Sequence, residues 1–247
     1  MSLFCRRRPR PLLTKKGSRI YAIGDVHGRY DLLSLLFAII HDHLAHADPQ
    51  PESIQIVLLG DIIDRGPDSR ECLDMIHRAQ ANESVLLLRG NHEDMMLQSA
   101  QANRGAIAAW LRHGGLATLK SFGIAPPAET EDAIDFADRL TDGVPAEIWK
   151  MLEGTTHSWT SGDYLFVHAG VRPAISLDAQ DPTDLLSIRE EFTHSEQWHG
   201  AMVVHGHTIA DFVEFRPNRI ACDTGAFRTG RLSCLCLDGA MQTVLST

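Results

Sequence analysis

Short apolar runs and longer amphipathic segments alternate along the first part of the chain. The runs at 19–24, 54–59 and 85–88 contain β-branched or leucine residues and are bounded by glycine or charged residues, which is typical of buried strands. In the segments at 32–46 and 69–81, apolar residues recur every three or four positions, as they do in amphipathic helices. Consecutive strand–helix units of this kind predict a largely parallel sheet with right-handed crossovers.

The second part of the chain has a different pattern. Helical periodicity with glycine and proline breaks predicts a helical insertion over about 95–160. Two further buried strands are predicted at 164–167 and 201–204. Beyond 212 the apolar residues alternate in short segments separated by turn residues, which predicts mostly antiparallel strands. Both parts together indicate the α/β fold class.

One domain is predicted for most of the chain, because 247 residues support a single substantial core. Residues 1–18, rich in arginine and proline, predict a flexible basic tail ahead of a domain at 19–247. No apolar segment of a signal peptide follows the arginines, and no stretch approaches the roughly 20 apolar residues of a membrane-spanning helix. The five cysteines are scattered without a C-x-x-C pair, so we expect a reducing, cytoplasmic location and no membrane partner.

Charge narrows the classes of partner. The formal net charge is −9, which argues against a general nucleic-acid binder. A local basic pocket for phosphate is compatible with this charge. The chain also contains 13 histidines, and neutral imidazole is the commonest metal ligand in proteins.

Residues with metal-binding chemistry stand where five of the predicted strands end. They are Asp25 and His27, Asp61 and Asp64, Asn91 and His92, His168, and His207. Because ligands of α/β sheets gather at the carboxyl ends of the strands, we expect these side chains to form one site. Mixed oxygen and nitrogen donors favour Mn²⁺, Fe or Zn²⁺ over Ca²⁺ or a structural zinc. The donors exceed the needs of one ion, which favours two ions that share a carboxylate.

The motifs around these residues form an ordered set. They are GDVHG at 24–28, GDIIDRG at 60–66, RGNHE at 89–93, HAG at 168–170 and GHT at 206–208. In this order they resemble the metallophosphoesterase (calcineurin-like) superfamily, in particular the bacterial and phage branch of the PPP-type serine/threonine protein phosphatases. The resemblance implies a sandwich of two mixed β-sheets flanked by helices (αββα), with a helical insertion that the motifs do not cover.

The resemblance also implies a centre of two divalent metal ions, Mn²⁺ in the first place and Fe or Zn²⁺ as alternatives. Its ligands would be Asp25, His27 and Asp61 for one ion, and Asp61, Asn91, His168 and His207 for the other. Asp61 would therefore bridge the two ions. The implied reaction is in-line attack on phosphorus by a hydroxide that bridges the ions, in one step and without a phosphoenzyme.

Four further residues have roles that the same resemblance implies. His92 would donate a proton to the leaving oxygen, and Asp64 would hold that imidazole. Arg65 would bind phosphate oxygens through its planar guanidinium. Arg189 matches a second phosphate-binding arginine, in a less diagnostic segment.

Three functions remain open at this point. The first is a phosphatase for phosphomonoesters, above all phosphoserine and phosphothreonine in proteins, whose partner is a phosphorylated protein or a small phosphoester. The second is a symmetrical diadenosine tetraphosphatase, although Glu93 favours the phosphatase because tetraphosphatases usually have aspartate there. The third is a non-catalytic protein that binds a partner through the same fold, against which the complete ligand set argues. Nothing in the sequence indicates the oligomeric state.

Overall fold

A computed structural model describes residues 10–247, whose strands form two five-stranded sheets. The strands of the first sheet, in spatial order, are β10 (Met241–Ser246), β9 (Ser233–Asp238), β1 (Ser18–Ile23), β2 (Ser53–Leu58) and β3 (Val85–Leu87). β1, β2 and β3 are parallel, as strand–helix units require, whereas β9 is antiparallel to both of its neighbours.

The second sheet has a parallel centre and two antiparallel edges. Its strands, in spatial order, are β4 (Ser158–Ser161), β5 (Tyr164–Val167), β6 (Met202–His205), β8 (Arg219–Ala221) and β7 (Glu214–Phe215). β5, β6 and β8 run parallel, and β4 and β7 pair antiparallel to their neighbours. The prediction of mostly antiparallel strands beyond 212 is confirmed for β7, β9 and β10, while β8 is parallel to β6.

Helices cover the outer faces of both sheets. They are α1 (Tyr30–Ala45), α2 (Ser69–Asn82), α3 (Asn91–Ala100), α4 (Arg104–Trp110), α5 (Leu116–Ser121), α6 (Ala133–Gly143), α7 (Ala146–Glu153), α8 (Pro182–Ser187), α9 (Glu190–Thr193) and α10 (Ala226–Thr229). The core on the first sheet includes residues of α1 to α7, and the core on the second includes residues of α8 and α9. Across residues 10–247, every helix is too short or too polar to cross a lipid bilayer.

β1 shows why the central strands are continuously apolar. Ile20 and Ala22 belong to the core between the two sheets, whereas Tyr21 and Ile23 belong to the core beneath the helices. Since successive side chains of a strand point to opposite faces, both faces of β1 must be apolar. The predicted αββα sandwich is confirmed.

Helices occupy the predicted insertion from its start, and only its last residues differ. α3 begins at Asn91, just ahead of the 95–160 range, and α7 ends at Glu153, so the strand β4 fills the end of that range. The four residues of β4, Ser158–Ser161, are short of apolar residues and mostly partly exposed. Such an edge strand has no periodicity by which sequence could separate it from a helix end.

The predicted flexible tail is wrong for residues 10–18. Arg10 forms an ion pair with Asp163 at 2.6 Å, and the backbone N–H of Leu13 donates to the same carboxylate at 2.9 Å. Leu12 packs on the core between the sheets, and Ser18 already belongs to β1. Apolar contacts and hydrogen bonds therefore hold this segment against the fold. Residues 1–9, the rest of the predicted tail, lie outside the described residues.

Candidate metal centre

The predicted metal ligands gather around the carboxylate of Asp61, at the edge where strands of both sheets end. Asp61 follows β2 and is buried. Its Oδ2 lies 3.6 Å from Nε2 of His27, which follows β1. Its Oδ1 lies 3.4 Å from Nε2 of His168, which follows β5. One carboxylate therefore faces an imidazole from each sheet, one on each oxygen.

Asn91 and His207 complete the side of His168. Nε2 of His168 lies 3.0 Å from Oδ1 of Asn91 and 3.2 Å from Nδ1 of His207. Two groups of donors result, and within each group the ligand atoms lie within 4.8 Å of one another. The groups are His27, Asp61 and His92, and Asp61, His168 and His207. Asp61 belongs to both, as a carboxylate shared by two ions must.

Asp25, the remaining predicted ligand, lies beside these groups instead of within them. Its buried carboxylate accepts the backbone N–H of His207, at 3.1 Å from each oxygen. Burial raises the pKa of Asp25 well above its usual range, and the charges of Asp223 and Asp61 add to this effect. A bound cation stabilises the ionised form of such a carboxylate.

Strained backbone conformations concentrate in this site. Among the described residues, seven other than glycine have positive φ angles, and five of those seven belong to the predicted site. They are His27, Asp61, Asp64, Arg65 and His207. A left-handed conformation costs a non-glycine residue on the order of 1–3 kcal/mol and persists only where its surroundings over-determine it. The loops that carry the site are therefore held in place by their neighbours.

Backbone carbonyl groups orient two of the imidazoles. Nδ1–H of His27 donates to the carbonyl oxygen of Ile63 at 2.9 Å, and Nδ1–H of His168 donates to that of Leu59 at 2.8 Å. Each bond fixes the tautomer that leaves the Nε2 lone pair facing Asp61. Burial lowers the pKa of His27 to about 3 and also lowers that of His168. Both rings are therefore neutral at pH 7, as metal ligands need to be.

The surroundings of the two ring nitrogens of His207 indicate whether these donors fit metal ions. Its Nδ1 lies against His168, and its Nε2 is buried without a hydrogen-bond partner among the described residues. Burial lowers the pKa of His207 to about 2, so the ring is neutral. The nitrogen that faces the other donors is therefore Nδ1. With Nε2 of His168, Oδ1 of Asn91 and the carboxylate of Asp61, it forms a mixed nitrogen and oxygen donor set that fits a divalent metal ion.

His92 lies next to the donors and is held by a second carboxylate. Its Nδ1–H donates to Oδ2 of Asp64 at 2.6 Å, and its Nε2 lies 3.8 Å from Oδ2 of Asp61. Burial lowers the pKa of His92, but the charges of Asp61 and Asp64 outweigh it and raise the pKa overall. An imidazole oriented in this way is suited to proton transfer.

The helical insertion supplies the other side-chain hydrogen bonds to the carboxylate of Asp64. The indole Nε1–H of Trp110 donates to Oδ1 and Oδ2 at 3.1 and 2.9 Å, and the hydroxyl of Thr118 donates to Oδ1. Trp110 and Thr118 are fully buried. In the sequence, Trp110 with Gly114, Gly115 and Leu116 resembles what bacterial members of the superfamily carry in this insertion, but this does not show that Trp110 or Thr118 contacts Asp64. Periodicity shows which face of a helix is apolar but not what that face contacts.

Arg65 joins the metal donors to the proton-transfer pair. Its Nη1 donates to Nε2 of His27 at 2.8 Å, and its Nη2 donates to Nε2 of His92 at 3.0 Å. Its guanidinium carbon lies 4.8 Å from the centre of the Phe227 ring, a cation–π contact. The bond to His27 and an ion bound by His27 exclude each other, because both use the same lone pair.

Arg189 lies at the rim of the site. It directly precedes α9 and is exposed. Burial is the largest cause of the lowered pKa values of His168 and His207, and the positive charge of Arg189 lowers both pKa values further. The structure therefore brings Arg189 near the predicted ligands of the second ion, but its role in binding phosphate stays a prediction.

Comparison with known proteins identifies the family. The family profile described as "Calcineurin-like phosphoesterase" matches residues 18–222, which include every predicted site residue. The chain belongs to this family. In this phosphoesterase, the matched range includes all five motifs, from 24–28 to 206–208.

The relatives of this phosphoesterase include two kinds of enzyme. Serine/threonine-protein phosphatase 2 of Escherichia coli (strain K12) is 28% identical over 221 residues, which cover 87% of this chain and 90% of that protein. The symmetrical bis(5'-nucleosyl)-tetraphosphatase of Cellvibrio japonicus is 30% identical over 158 residues, which cover 64% of this chain and 47% of that protein. A crystal structure provisionally described as a diadenosine tetraphosphatase has a TM-score of 0.65 at 18% identity, covering 96% of this chain and 98% of that one. The last likeness shows the fold alone.

Glu93 of this phosphoesterase holds the loop that carries Asp61, a role that the sequence does not reveal. Its buried carboxylate accepts four backbone N–H groups at 2.8–3.3 Å, those of Gly90, Asp61, Ile62 and Ile63. Burial raises the pKa of Glu93 to about 7, and the charge of Asp61 adds to the effect. Through these hydrogen bonds, Glu93 fixes the backbone of the loop that carries Asp61.

Asp223 is a further buried acid of the phosphoesterase. Its sequence context is compatible with two roles, that of a turn residue and that of a residue of the site. Burial raises its pKa to about 6, and its charge raises the pKa of Asp25. Its Oδ1 accepts the N–H of Gly225 at 2.8 Å. Asp223 follows β8 directly after Cys222, so the signal that identifies the other ligands, an acid where a buried strand ends, also applies to it.

Proposed function

We propose that this phosphoesterase is a metal-dependent phosphatase that hydrolyses phosphomonoesters, above all phosphoserine and phosphothreonine in proteins. The observation that carries the proposal is the position of the His92–Asp64 pair. Its oriented imidazole lies 3.8 Å from the carboxylate that both donor groups share. Ligands for the cations, a proton donor and a guanidinium thus lie next to one another. The hydrolysis of a phosphate ester needs groups of these three kinds.

The proposed centre holds two divalent cations, Mn²⁺ in the first place, with Fe and Zn²⁺ as alternatives that suit the same donors. The residues that would hold them are Asp25, His27 and Asp61 for one, and Asp61, Asn91, His168 and His207 for the other. When bound, the cations would activate a water molecule and neutralise charge on the phosphoryl oxygens.

Arg65 and His92 provide the remaining chemistry. Arg65 can bind two phosphoryl oxygens, and a phosphoryl group that draws it away frees Nε2 of both His27 and His92. His92, held by Asp64, then takes up a proton from solvent at Nε2 and donates it to the leaving oxygen. The hydrogen bond from Nδ1 to the carboxylate of Asp64 favours the protonated form that this step needs. Arg189 adds a second positive charge for phosphate.

Two observations support phosphorylated proteins and small phosphoesters as substrates. The Escherichia coli protein phosphatase is 28% identical over 87% of this chain, whereas the asymmetrical tetraphosphatase of Geobacillus thermodenitrificans, which aligns over a similar share of 86%, is 23% identical. Glu93 also stands where the tetraphosphatases usually have aspartate. Diadenosine tetraphosphate is the competing substrate, because the symmetrical tetraphosphatase is 30% identical where it aligns.

The test compares substrates at equal concentrations of enzyme and Mn²⁺. Phosphate release from phosphoserine and phosphothreonine peptides is measured beside ADP formation from diadenosine tetraphosphate. We expect a higher kcat/KM for the peptides, and loss of both activities with EDTA and in Asp61→Asn. Much faster formation of ADP would make the protein a tetraphosphatase, and no turnover with Mn²⁺, Fe²⁺ or Zn²⁺ would favour a binding protein.

A further inference from the structure

The helical insertion contacts the proton-transfer pair of the site directly. We propose that Trp110 and Thr118 are positioning residues, which orient the His92–Asp64 pair for proton transfer to the leaving group. The inference rests on the proposed function and deepens it, because it gives the insertion a share in one step of that reaction.

Hydrogen bonds alone satisfy the carboxylate of Asp64, which has no contact with solvent. His92 donates to Oδ2 at 2.6 Å. Trp110 reaches both oxygens, at 3.1 and 2.9 Å, and the hydroxyl of Thr118 donates to Oδ1. Three donors around one buried carboxylate fix its rotation, and through the bond from Nδ1 they fix the ring of His92.

The insertion also holds the backbone at Asp64 and Arg65. Their φ angles are 74° and 68°, in the left-handed region. The N–H of Asp64 is shared between the hydroxyl oxygens of Thr118 and of Ser69 in α2, each at 3.0 Å. The N–H of Arg65 donates to the carbonyl oxygen of Gly114 at 3.3 Å. Since strained residues persist only where their surroundings over-determine them, the insertion is part of what holds this turn.

Two glycines allow the insertion to approach so closely. A Cβ on Gly115 would lie 2.7 Å from the ring of Trp110, and a Cβ on Gly114 would lie 2.9 Å from the backbone nitrogen of Arg65. Both glycines lie in Leu111–Gly115, where the chain kinks between α4 and α5. Gly114 has a φ of 122° and a ψ of 2°, outside the helical region, which glycine adopts readily. The kink brings Trp110 and Thr118 to the same carboxylate.

Trp110 is also a large core side chain, so its packing must be separated from its hydrogen bond. Trp110→Phe removes the indole N–H and keeps an aromatic ring. Trp149→Phe is the matched control, because Trp149 lies in α7 of the same insertion and is 9% exposed. Its Nε1–H donates to the carbonyl oxygen of Thr141 at 3.1 Å. Each variant loses one indole and its hydrogen bonds, but only Trp110 contacts Asp64.

A weakened proton donor is detected by varying the leaving group. p-Nitrophenolate leaves without a proton, whereas phenolate and the alkoxide of serine need one. We expect Trp110→Phe to lower kcat about tenfold for phenyl phosphate and phosphoserine peptides, and less than about twofold for p-nitrophenyl phosphate, with KM unchanged. Trp149→Phe should affect all three substrates equally or not at all. Thr118→Val should repeat the pattern of Trp110→Phe, and Thr118→Ser, which keeps the hydroxyl, should behave as wild type.

Proton NMR of the metal-free protein tests the geometry without turnover. The Nδ1–H of His92, in a short bond to a buried carboxylate, should give a resonance far downfield, assigned by its loss in Asp64→Asn. We expect Trp110→Phe to shift or broaden this resonance and Trp149→Phe to leave it unchanged.

Two results would overturn the inference: the same leaving-group dependence in Trp110→Phe and Trp149→Phe, or an unchanged His92 resonance in Trp110→Phe. Either would reduce Trp110 to a packing residue. If the wild-type protein released phosphate from no monoester, the proposed function would fail. The NMR comparison would still decide whether the insertion orients His92.

Discussion

The metal-donor half and the proton-transfer half of the site are assembled from different kinds of structure. In the donor half, His27, Asp61, His168 and His207 each follow a buried strand within a few residues. In the proton-transfer half, Asp64 is held by Trp110 and Thr118, which lie 46 and 54 residues away in helices of the insertion. The first half depends on the ends of the sheets, and the second depends on how one group of helices docks.

This difference separates the two acids of one loop. Asp61 faces imidazoles from both sheets, whereas Asp64, three residues later, faces the insertion. Left-handed conformations at both residues let the loop point the two carboxylates into different surroundings. We therefore expect the two halves to fail in different ways when either acid is altered.

Asp61→Asn should have the largest effect, because the carboxylate belongs to both groups of donors. We expect kcat/KM to fall by at least about 10³-fold, together with loss of bound metal, since the ions supply several kcal/mol of transition-state stabilisation. Steady-state kinetics and metal analysis of the purified variant measure the two effects. Full metal content in Asp61→Asn would contradict its placement as the shared ligand.

Asp64→Asn should lower the rate and spare the metals. The amide no longer matches the three donors around this position, so we expect kcat to fall about 100-fold, within the range of general acid catalysis. Metal content should stay within that of the wild-type protein, measured by the same analysis as for Asp61→Asn. Equal metal loss in the two variants would show that the halves are not separate.

The donor half is predictable from sequence for a physical reason. An apolar run such as 56–59 is buried on both faces, so the polar residues that follow it must leave the sheet at its carboxyl edge, where those of the other strands also arrive. Asp61, His168 and His207 are brought together in this way. The position of each of these residues depends only on where its own strand ends and on the order of the strands in the sheets.

The support of the proton-transfer half is not predictable in the same way. The periodicity of 104–110 shows that Trp110 is buried but not that its N–H meets a carboxylate. Glu93 is similar: its position in the motif favours one family branch, while its bonds to four backbone N–H groups depend on the folded loop. Contacts of this kind arise from docking, which local pattern does not encode.

Asp223→Asn tests whether the donor half extends to this acid. The pKa of Asp223 in the folded protein, about 6, lies above its ordinary value of 3.8, so folding favours the protonated form. The stability of the metal-free protein therefore falls as the pH rises from about 4 to about 6, by up to about 3 kcal/mol from this residue. Asp223→Asn lacks this loss, so its stability relative to wild type should increase across that window.

Urea unfolding of EDTA-treated protein at pH 4, 5, 6 and 7 measures the effect. Asp138→Asn is the control, because that aspartate is exposed on α6. Added Mn²⁺ should reduce the difference between Asp223→Asn and wild type, since a cation stabilises the ionised acids. A difference that does not vary with pH would exclude Asp223 from the charged cluster of the donor half.

Gly115→Ala tests the dependence of the proton-transfer half on close docking, with the smallest expected effect on stability. The φ of Gly115 is −56°, which alanine adopts freely, but the added Cβ would lie 2.7 Å from the ring of Trp110. We expect a loss of about 1–2 kcal/mol from overpacking, measured by urea unfolding. We also expect kcat to fall more for phenyl phosphate than for p-nitrophenyl phosphate, because the ring that orients Asp64 must move.

Gly105→Ala provides the matched control. Gly105 is exposed in α4 of the same insertion, and the nearest heavy atom to its Cβ would be Oδ1 of Asn103 at 3.3 Å. Alanine there should stabilise the helix by about 0.5–1 kcal/mol and leave both rates unchanged. If Gly115→Ala behaved like Gly105→Ala in both rates, Trp110 would tolerate displacement without consequence for His92. The two halves would then differ only in where their residues lie in the chain, and not in what holds them.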